Sequence, residues 1–169
     1  MKKVFAILTL SVLFLSPLFA QKASKEEKAA AAKLSYEEAL QSINDRKWVI
    51  VPSSYQLESG DIQTNSDNDI FLSYEGTAAF SQGKVVCSND KTNTAEVVSY
   101  DVTVDKKGNV KVLMVVQGRM WKGTYKITMR NKGNLADVIF TQPSGPTLRF
   151  SGPVVPLVGA SYNKRSNPI

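Results

Sequence analysis

Apolar and polar residues alternate through the second half of the chain, and this pattern predicts an antiparallel β-meander over residues 96–152. In the segment 96–104 the residues Val98, Tyr100, Val102 and Val104 alternate with polar ones. In the segment 120–130 the apolar residues that alternate with polar ones are Trp121, Tyr125, Ile127 and Met129. Alternation with a period of two buries one face of a strand and leaves the other in water, which is typical of an antiparallel sheet.

Short turns that contain glycine separate the predicted strands. Gly108 lies in the sequence DKKGN, Gly133 lies in the sequence NKGN, and a third turn covers residues 142–146. Hairpin loops of this length need a residue with positive φ, which glycine adopts without strain. The strands of the meander are therefore predicted to follow one another as hairpins.

One predicted strand breaks the alternation. Residues 110–116 read VKVLMVV, so Leu113 and Val115 place apolar side chains on the face that should meet water. A strand that is apolar on both faces needs cover on both sides. We expect the helix that precedes the strands to pack near these two residues.

That N-terminal helix is predicted over residues 24–45. Ser24 and Glu27 have the spacing of a capping box, in which each side chain binds the backbone N–H of the other residue. The apolar face, at helical spacing, includes Tyr36, Leu40 and Ile43.

Further strands are predicted from about residue 47 to about residue 157. They include the apolar run 84–87 around Cys87, whereas the polar segment 58–69 has the composition of a loop. The polar tail 162–169 is predicted to be frayed.

The first twenty residues have the composition of a secretory signal peptide. Lys2 and Lys3 precede an apolar core over residues 4–15, and Ala20 is a small residue suited to the position before a cleavage site. The core is short for a membrane span of about 20 residues. Leu18 is bulkier than the small residue that is usual at its position before a cleavage site. An uncleaved membrane anchor is therefore the alternative to a signal peptide.

The pattern predicts export to the periplasm or secretion, and it leaves residues 21–169 as a single β-rich domain. No cysteine follows the apolar core, so a lipoprotein anchor at that point is excluded. No transmembrane segment is predicted after signal cleavage.

Charge and cysteine content narrow the possible partners. The chain has 21 Lys and Arg against 15 Asp and Glu, and the excess is dispersed rather than clustered with aromatic residues. No nucleic-acid partner is therefore predicted. Cys87 is the only cysteine, which excludes an internal disulfide and favours a buried thiol.

The absence of histidine restricts the possible chemistry. It removes the commonest general base and the histidine-containing triads, and with one cysteine it also removes a thiolate–imidazole zinc site. A carboxylate pair could still hydrolyse a glycan, and the acids considered for it are Glu75, Asp101 and Asp137. A surface ion pair is the simpler interpretation of Asp137.

The other candidate site resembles half of a calcium-binding loop and is here called the half-formed calcium motif. Asn65, Asp67 and Asp69 supply oxygen ligands at alternate positions. Gly76 stands where such a loop needs its bidentate acid, and Asn and Asp are ordinary turn residues. No metal and no cofactor are predicted.

Most aromatic residues belong to predicted buried strand faces, where core packing is the default. A meander that curls can leave a cavity between its faces, and the mouths of β-barrels bind apolar ligands. The residues predicted to line such a site are Trp121, Tyr125, Arg119 and Tyr74.

Ordered motifs along the chain resemble the secreted Bacteroidetes proteins of the DUF4251 family, a domain of unknown function. The matching pieces are the two glycine hairpins and the segments KWVIVPSSY (47–55), FLSYEGTA (71–78) and RFSGPVVPL (149–157). The resemblance implies a β-rich, lipocalin-like fold with a leading helix, and an envelope location. It implies no established activity, so no catalytic residue is transferred.

Together, the patterns predict an α+β, mainly β protein in which an N-terminal helix packs on an antiparallel meander, and the resemblance implies that the meander forms a lipocalin-like barrel or half-barrel. The favoured function is a non-enzymatic binding or interaction module for a small apolar ligand or an envelope protein. The alternative is an acid-only hydrolase acting on a glycan.

Overall fold

The computed structural model describes residues 24–166, 168 and 169, so the predicted signal peptide lies outside the described residues. Two helices are present in this range, α1 Lys25–Asn44 and α2 Lys84–Cys87. The strands are β1 Lys47–Ile50, β2 Ser54–Gln56, β3 Ile62–Thr64, β4 Phe71–Glu75, β5 Ala78–Gln82, β6 Thr92–Val104, β7 Val110–Gln117, β8 Lys122–Met129, β9 Leu135–Thr141 and β10 Leu148–Pro156. Within this part of the chain, no helix combines the length and the apolar character that a membrane span requires.

Eight of the strands form a closed antiparallel barrel. Their order is β1-β4-β5-β6-β7-β8-β9-β10, and β1 returns to β10 by pairing Trp48 with Pro156 and Ile50 with Val154. A hairpin of β2 and β3 extends from another part of β10. The predicted mainly β fold with an N-terminal helix is confirmed, and the sheet is a full barrel rather than a half-barrel.

Inward-facing side chains fill this barrel. The buried residues of β7 and β8 are Val110, Val112, Met114, Val116, Tyr125, Ile127 and Met129. They belong to one hydrophobic cluster with side chains from the other strands of the barrel. Because an eight-stranded barrel is just wide enough for side chains, the alternation in the sequence produces a packed core.

Helix α1 closes one end of the barrel, here called the upper mouth, which is bounded by Lys47, Glu75 and the turn 105–109. Ser24 caps the helix as predicted, since its side chain accepts from the Glu27 N–H. Ala39 and Ile43 join the interior cluster. The helix therefore extends the barrel core beyond the ends of the strands.

The predicted packing of the helix near Leu113 and Val115 is wrong. Leu113 is 44% exposed, Val115 is half-buried, and α1 packs against β1 and β10 instead. An uncovered barrel end would expose many inward apolar side chains to water. The outer wall of β7 exposes only two apolar side chains, Leu113 and Val115. Covering the open end therefore removes more apolar surface from water.

A β-bulge between Val97 and Ser99 changes the pattern of β6. Val98 was predicted to be buried but is 54% exposed, while Tyr100 and Val102 pack against the core. A bulge inserts one unpaired residue and reverses the faces of the residues beyond it. Simple alternation could not reveal this shift.

Two segments adopt other structures than predicted. Residues 84–87 form α2 rather than a strand, after Gly83 reverses the chain with a φ of 102°. A four-residue apolar run fits one turn of helix as well as a strand, so its pattern could not distinguish the two. The predicted loop 58–69 contains the short strand β3, whose three residues are all exposed.

The polar tail, which the sequence predicts to be frayed, contacts the outside of the barrel in the described residues. Residues 157–166, 168 and 169, here called the strap, run along the outside of β4, β5 and β6. Tyr162 packs on Phe71 with ring centroids 4.7 Å apart. Ile169 exchanges backbone hydrogen bonds of 2.9 Å with Thr92 and Thr94 of β6.

Strand β4 explains why the strap packs there. Leu72 and Tyr74 face the core, yet the outward-facing Phe71 is also fully buried. The strand that needs cover on both faces is therefore β4, and the strap supplies that cover. Lys164 completes the contact, since its ammonium lies 2.6 Å from a carboxylate oxygen of Glu75.

We expect Ile43→Ala to lower the free energy of unfolding by about 2–5 kcal/mol, because it opens a cavity where α1 meets the barrel core. Leu34→Ala is the matched control on the same helix, since Leu34 is 57% exposed. The control should change stability by about 0.5 kcal/mol or less. Urea denaturation of both variants measures the difference, and equal effects would contradict the packing of α1 on the upper mouth.

Candidate functional site

Trp121 and Tyr125 meet at the other end of the barrel, here called the lower mouth, which is bounded by α2 and the loops 118–121 and 142–147. The Trp121 indole N–H donates to the Tyr125 hydroxyl at 3.0 Å, and that hydroxyl donates to the Val86 carbonyl at 2.7 Å. The two rings meet edge to face with centroids 5.8 Å apart. These contacts hold α2 against the barrel.

The surroundings of Tyr125 leave its ring no exposed surface. Its ring stacks on Phe140 with centroids 4.2 Å apart, and Tyr125 is fully buried. Burial, followed by the nearby Cys87 thiol, raises the pKa of Tyr125 well above its usual value. The hydroxyl is therefore a neutral structural donor at the closed lower mouth.

The upper mouth has a similar arrangement. The Trp48 indole N–H donates to the Tyr100 hydroxyl at 2.9 Å, and that hydroxyl donates to the Ile43 carbonyl at 2.9 Å. Burial raises the pKa of Tyr100, and the hydrogen bond from Trp48 opposes this only in part. A second tyrosine, Tyr36, donates to the Gly108 carbonyl at 2.7 Å. Hydrogen bonds from two tyrosines therefore hold α1 on the barrel.

The four residues predicted to line one site are divided between the two ends. Tyr74 packs on Tyr100 at the upper mouth with centroids 5.0 Å apart. Trp121 and Tyr125 lie at the lower mouth, and Arg119 is exposed on the nearby loop. The structure brings Trp121 and Tyr125 together but places Tyr74 at the opposite end.

A different feature has the form of a ligand site. The α1–β10 groove lies between the outer side of α1 and the chain that leaves β10, and it encloses about 500 Å³. Its lining residues are Glu37, Glu38, Gln41, Ser42, Asp45, Lys47, Pro156, Leu157 and Val158. Ligand pockets are typically about 300–1,000 Å³, so the groove is large enough for a small molecule or a few peptide residues.

A turn after β10 shapes the apolar side of this groove. The Leu157 N–H donates to the Lys47 carbonyl, and the Ala160 N–H donates back to the Leu157 carbonyl. Gly159 has a φ of 83°, which a glycine adopts without strain. The turn leaves Val158 at its tip, where the side chain is 93% exposed. An apolar side chain is thereby held in water beside the helix.

Sequence patterns did not identify this groove. Pro156, Leu157 and Val158 read as the end of a strand, and the opposite wall belongs to the polar face of a helix. Polar helix faces are ordinary surface features. Only the position of α1 across the upper mouth brings the two walls together.

The three acids considered for hydrolysis have polar partners. Glu75 accepts hydrogen bonds from Ser73 and Tyr162 besides pairing with Lys164. Asp137 accepts from Ser151 at 2.8 Å and lies 4.0 Å from Arg130. Asp101 accepts from Ser99 at 2.9 Å.

The residues of the half-formed calcium motif stabilise a turn. The Asn65 side-chain oxygen accepts from the Asp67 N–H at 3.2 Å, and the Asp67 carboxylate accepts from the Asp69 N–H at 2.7 Å. The Asp69 carboxylate lies 3.9 Å from Arg165. Among residues 24–166, 168 and 169, no cluster of three or more acids or cysteines is placed to hold a metal ion.

Comparisons with known proteins identify the fold. No family model matches the chain, and no curated protein matches it. A crystal structure of a DUF4251 family protein from Bacteroides eggerthii superposes with a TM-score of 0.66, covering 79% of this chain and 99% of that chain. The chain shares the fold of the DUF4251 family.

The resemblance predicted from the motifs is thus confirmed. The two sequences are 19% identical, so the likeness concerns the fold alone. DUF4251 denotes a domain of unknown function, and the comparison therefore transfers no activity and no site residue.

We expect Tyr125→Phe to lower the free energy of unfolding by about 1–3 kcal/mol, because it leaves the Trp121 indole N–H and the Val86 carbonyl buried without a partner. Tyr55→Phe is the control, since its hydroxyl donates to Gln63 in an exposed hairpin. That change should cost about 0.5 kcal/mol or less. Thermal or urea unfolding compares them, and a neutral Tyr125→Phe would contradict a structural role for the hydroxyl.

We expect the Cys87 thiol to react with Ellman's reagent roughly a hundredfold more slowly in the folded protein than in guanidinium, because the residue is 2% exposed. Burial raises the pKa of this thiol. The neutral thiol therefore stabilises the fold below the unfolded pKa of about 8.5, and this contribution is lost as the pH rises above it. Cys87→Ala should flatten the decline of stability between about pH 8.5 and 9.5. If the Cys87 thiol reacted with Ellman's reagent equally fast in the folded and the unfolded protein, its burial would be refuted.

Proposed function

We propose that the protein is an exported, non-enzymatic binding module whose ligand or partner binds in the α1–β10 groove. The supporting observation is the apolar wall of Pro156, Leu157 and Val158, which faces solvent in a groove of about 500 Å³. An exposed apolar surface beside a polar wall is the usual form of a site for a small molecule or a partner segment.

The closed ends of the barrel argue for a site on its outside. Eight-stranded barrels that carry ligands keep an open mouth and an unfilled interior. Here α1 covers the upper mouth and α2 the lower mouth, and the buried core includes both Ile43 and Val86. A ligand inside would have to displace packed side chains.

The surroundings of the acids argue against hydrolysis. A glycosidase needs two carboxylates that flank a substrate, one of them free to protonate the leaving group. The carboxylate of Glu75 is engaged by Lys164 and Tyr162, and Asp137 and Asp101 face outward on the barrel wall. The surroundings of these three acids therefore favour a non-enzymatic binding protein over a hydrolase.

The proposed location rests on the first twenty residues. Lys2 and Lys3, the apolar core and Ala20 follow the pattern of a signal peptide. Export to the periplasm or secretion would place the groove where it meets envelope proteins or apolar envelope molecules.

We expect the uncharged apolar dye N-phenyl-1-naphthylamine to bind saturably, and Val158→Asp to weaken that binding at least about fivefold by placing a charge on the apolar wall. Val98→Asp is the matched control, since Val98 is an exposed valine on the outer barrel wall. Fluorescence titration measures both variants.

Two outcomes would contradict this placement. If the wild-type protein binds no dye, the groove is not an apolar site. If Arg119→Ala weakens binding while Val158→Asp does not, the site lies at the lower mouth with Trp121 and Tyr125, as the sequence predicted.

A further inference from the structure

One wall of the α1–β10 groove is acidic. Glu37, Glu38 and Asp45 line it from α1, and Lys47 is the basic residue among the lining positions. This contrasts with the whole chain, which has 21 basic residues against 15 acidic ones. The groove thus combines an apolar wall with a local excess of negative charge.

Little within the protein neutralises this charge. Glu37 lies 3.8 Å from Lys33 in an exposed pair. Asp45 accepts a hydrogen bond of 2.9 Å from the uncharged Gln41 side chain. In the described part of the chain, no ion pair involves Glu38 or Asp45. Both carboxylates therefore remain available to a cation in the groove.

The end of helix α1 adds to the negative potential. The carboxyl end of a helix carries a partial negative charge, which basic residues in the last turn usually offset. The last turn of α1 has no basic residue, and Asp45 is its C-cap. Arg46 and Lys47 follow this cap, so a positive group on a ligand would be attracted mainly by the acidic side chains.

The length of the groove suits a short piece of extended chain. Its helical wall runs from Glu37 to Asp45, which is about 12 Å at the rise of an α-helix. An extended peptide covers that length with about four residues.

We propose that the groove binds an extended apolar segment of a partner protein that carries a lysine or arginine. The apolar side chains of the segment pack on Pro156, Leu157 and Val158, and its cation lies between Glu38 and Asp45. This inference rests on the proposed function, because it assigns a ligand class to the same groove.

Three pentapeptides test the charge requirement. Each consists of leucine and valine around a central lysine, norleucine or glutamate, and each carries the same uncharged fluorophore. Fluorescence anisotropy with the purified protein should show the lysine peptide binding about fivefold more tightly than the norleucine peptide, and the glutamate peptide binding most weakly. Raising the salt from about 0.02 M to about 0.5 M should remove most of this preference.

A double variant tests whether the acidic wall of the groove causes the preference for the lysine peptide. Glu38→Gln with Asp45→Asn should lower the affinity for the lysine peptide about fivefold and leave the norleucine peptide unchanged. Glu58→Gln with Asp101→Asn is the matched control, because it removes the same charge from exposed positions outside the groove. The salt titration of the unmodified protein gives an independent measurement should the variant fold poorly.

The outcomes separate this inference from the function on which it rests. Equal affinity for the three peptides would overturn the cation requirement and leave an apolar binding groove. A preference that both double variants lose equally would overturn the role of Glu38 and Asp45. No binding of any peptide, with the dye still bound, would overturn the peptide ligand, and loss of dye binding as well would overturn the proposed function.

Discussion

A tryptophan, a tyrosine and a helix carbonyl form the same hydrogen-bonded chain at each end of the barrel. The residues are Trp48, Tyr100 and Ile43 at the upper mouth, and Trp121, Tyr125 and Val86 at the lower mouth. Buried indole and phenol groups need partners, and each chain satisfies both while it fixes a helix over an open end. The packed interior depends on these two closures, since without them the inward side chains at both ends would meet water.

Closing the barrel with α1 has a functional consequence on the outside. One face of the helix places Ala39 and Ile43 in the core, while the opposite face places Glu38 and Asp45 along the groove. The same helix therefore acts as the cover of the core and as one wall of the candidate site. Any change that shifts α1 on the upper mouth also alters the width of the groove.

Alternation and glycine turns predicted the strands β7 to β10 and the inward positions of Tyr125 and Ile127, because each inward residue in a barrel has the same requirement for burial. The remaining features depend on contacts between distant segments. The bulge at Val97 and Ser99 leaves no mark in a hydropathy pattern. The strap packs on the barrel wall where Phe71 needs an outer cover, and the groove lies where the turn at Val158 meets α1. Local patterns contain no information about such pairings.

The pairing of β1 with β10 joins the first and last strands of the described residues. Without β10 the other strands could form only an open sheet, because β9, β1 and β2 would each lack the partner that β10 provides. Contacts between such distant segments form slowly, since the loop between their ends must close first. Completion of the barrel therefore depends on β10, which supplies the missing neighbour of three strands at once.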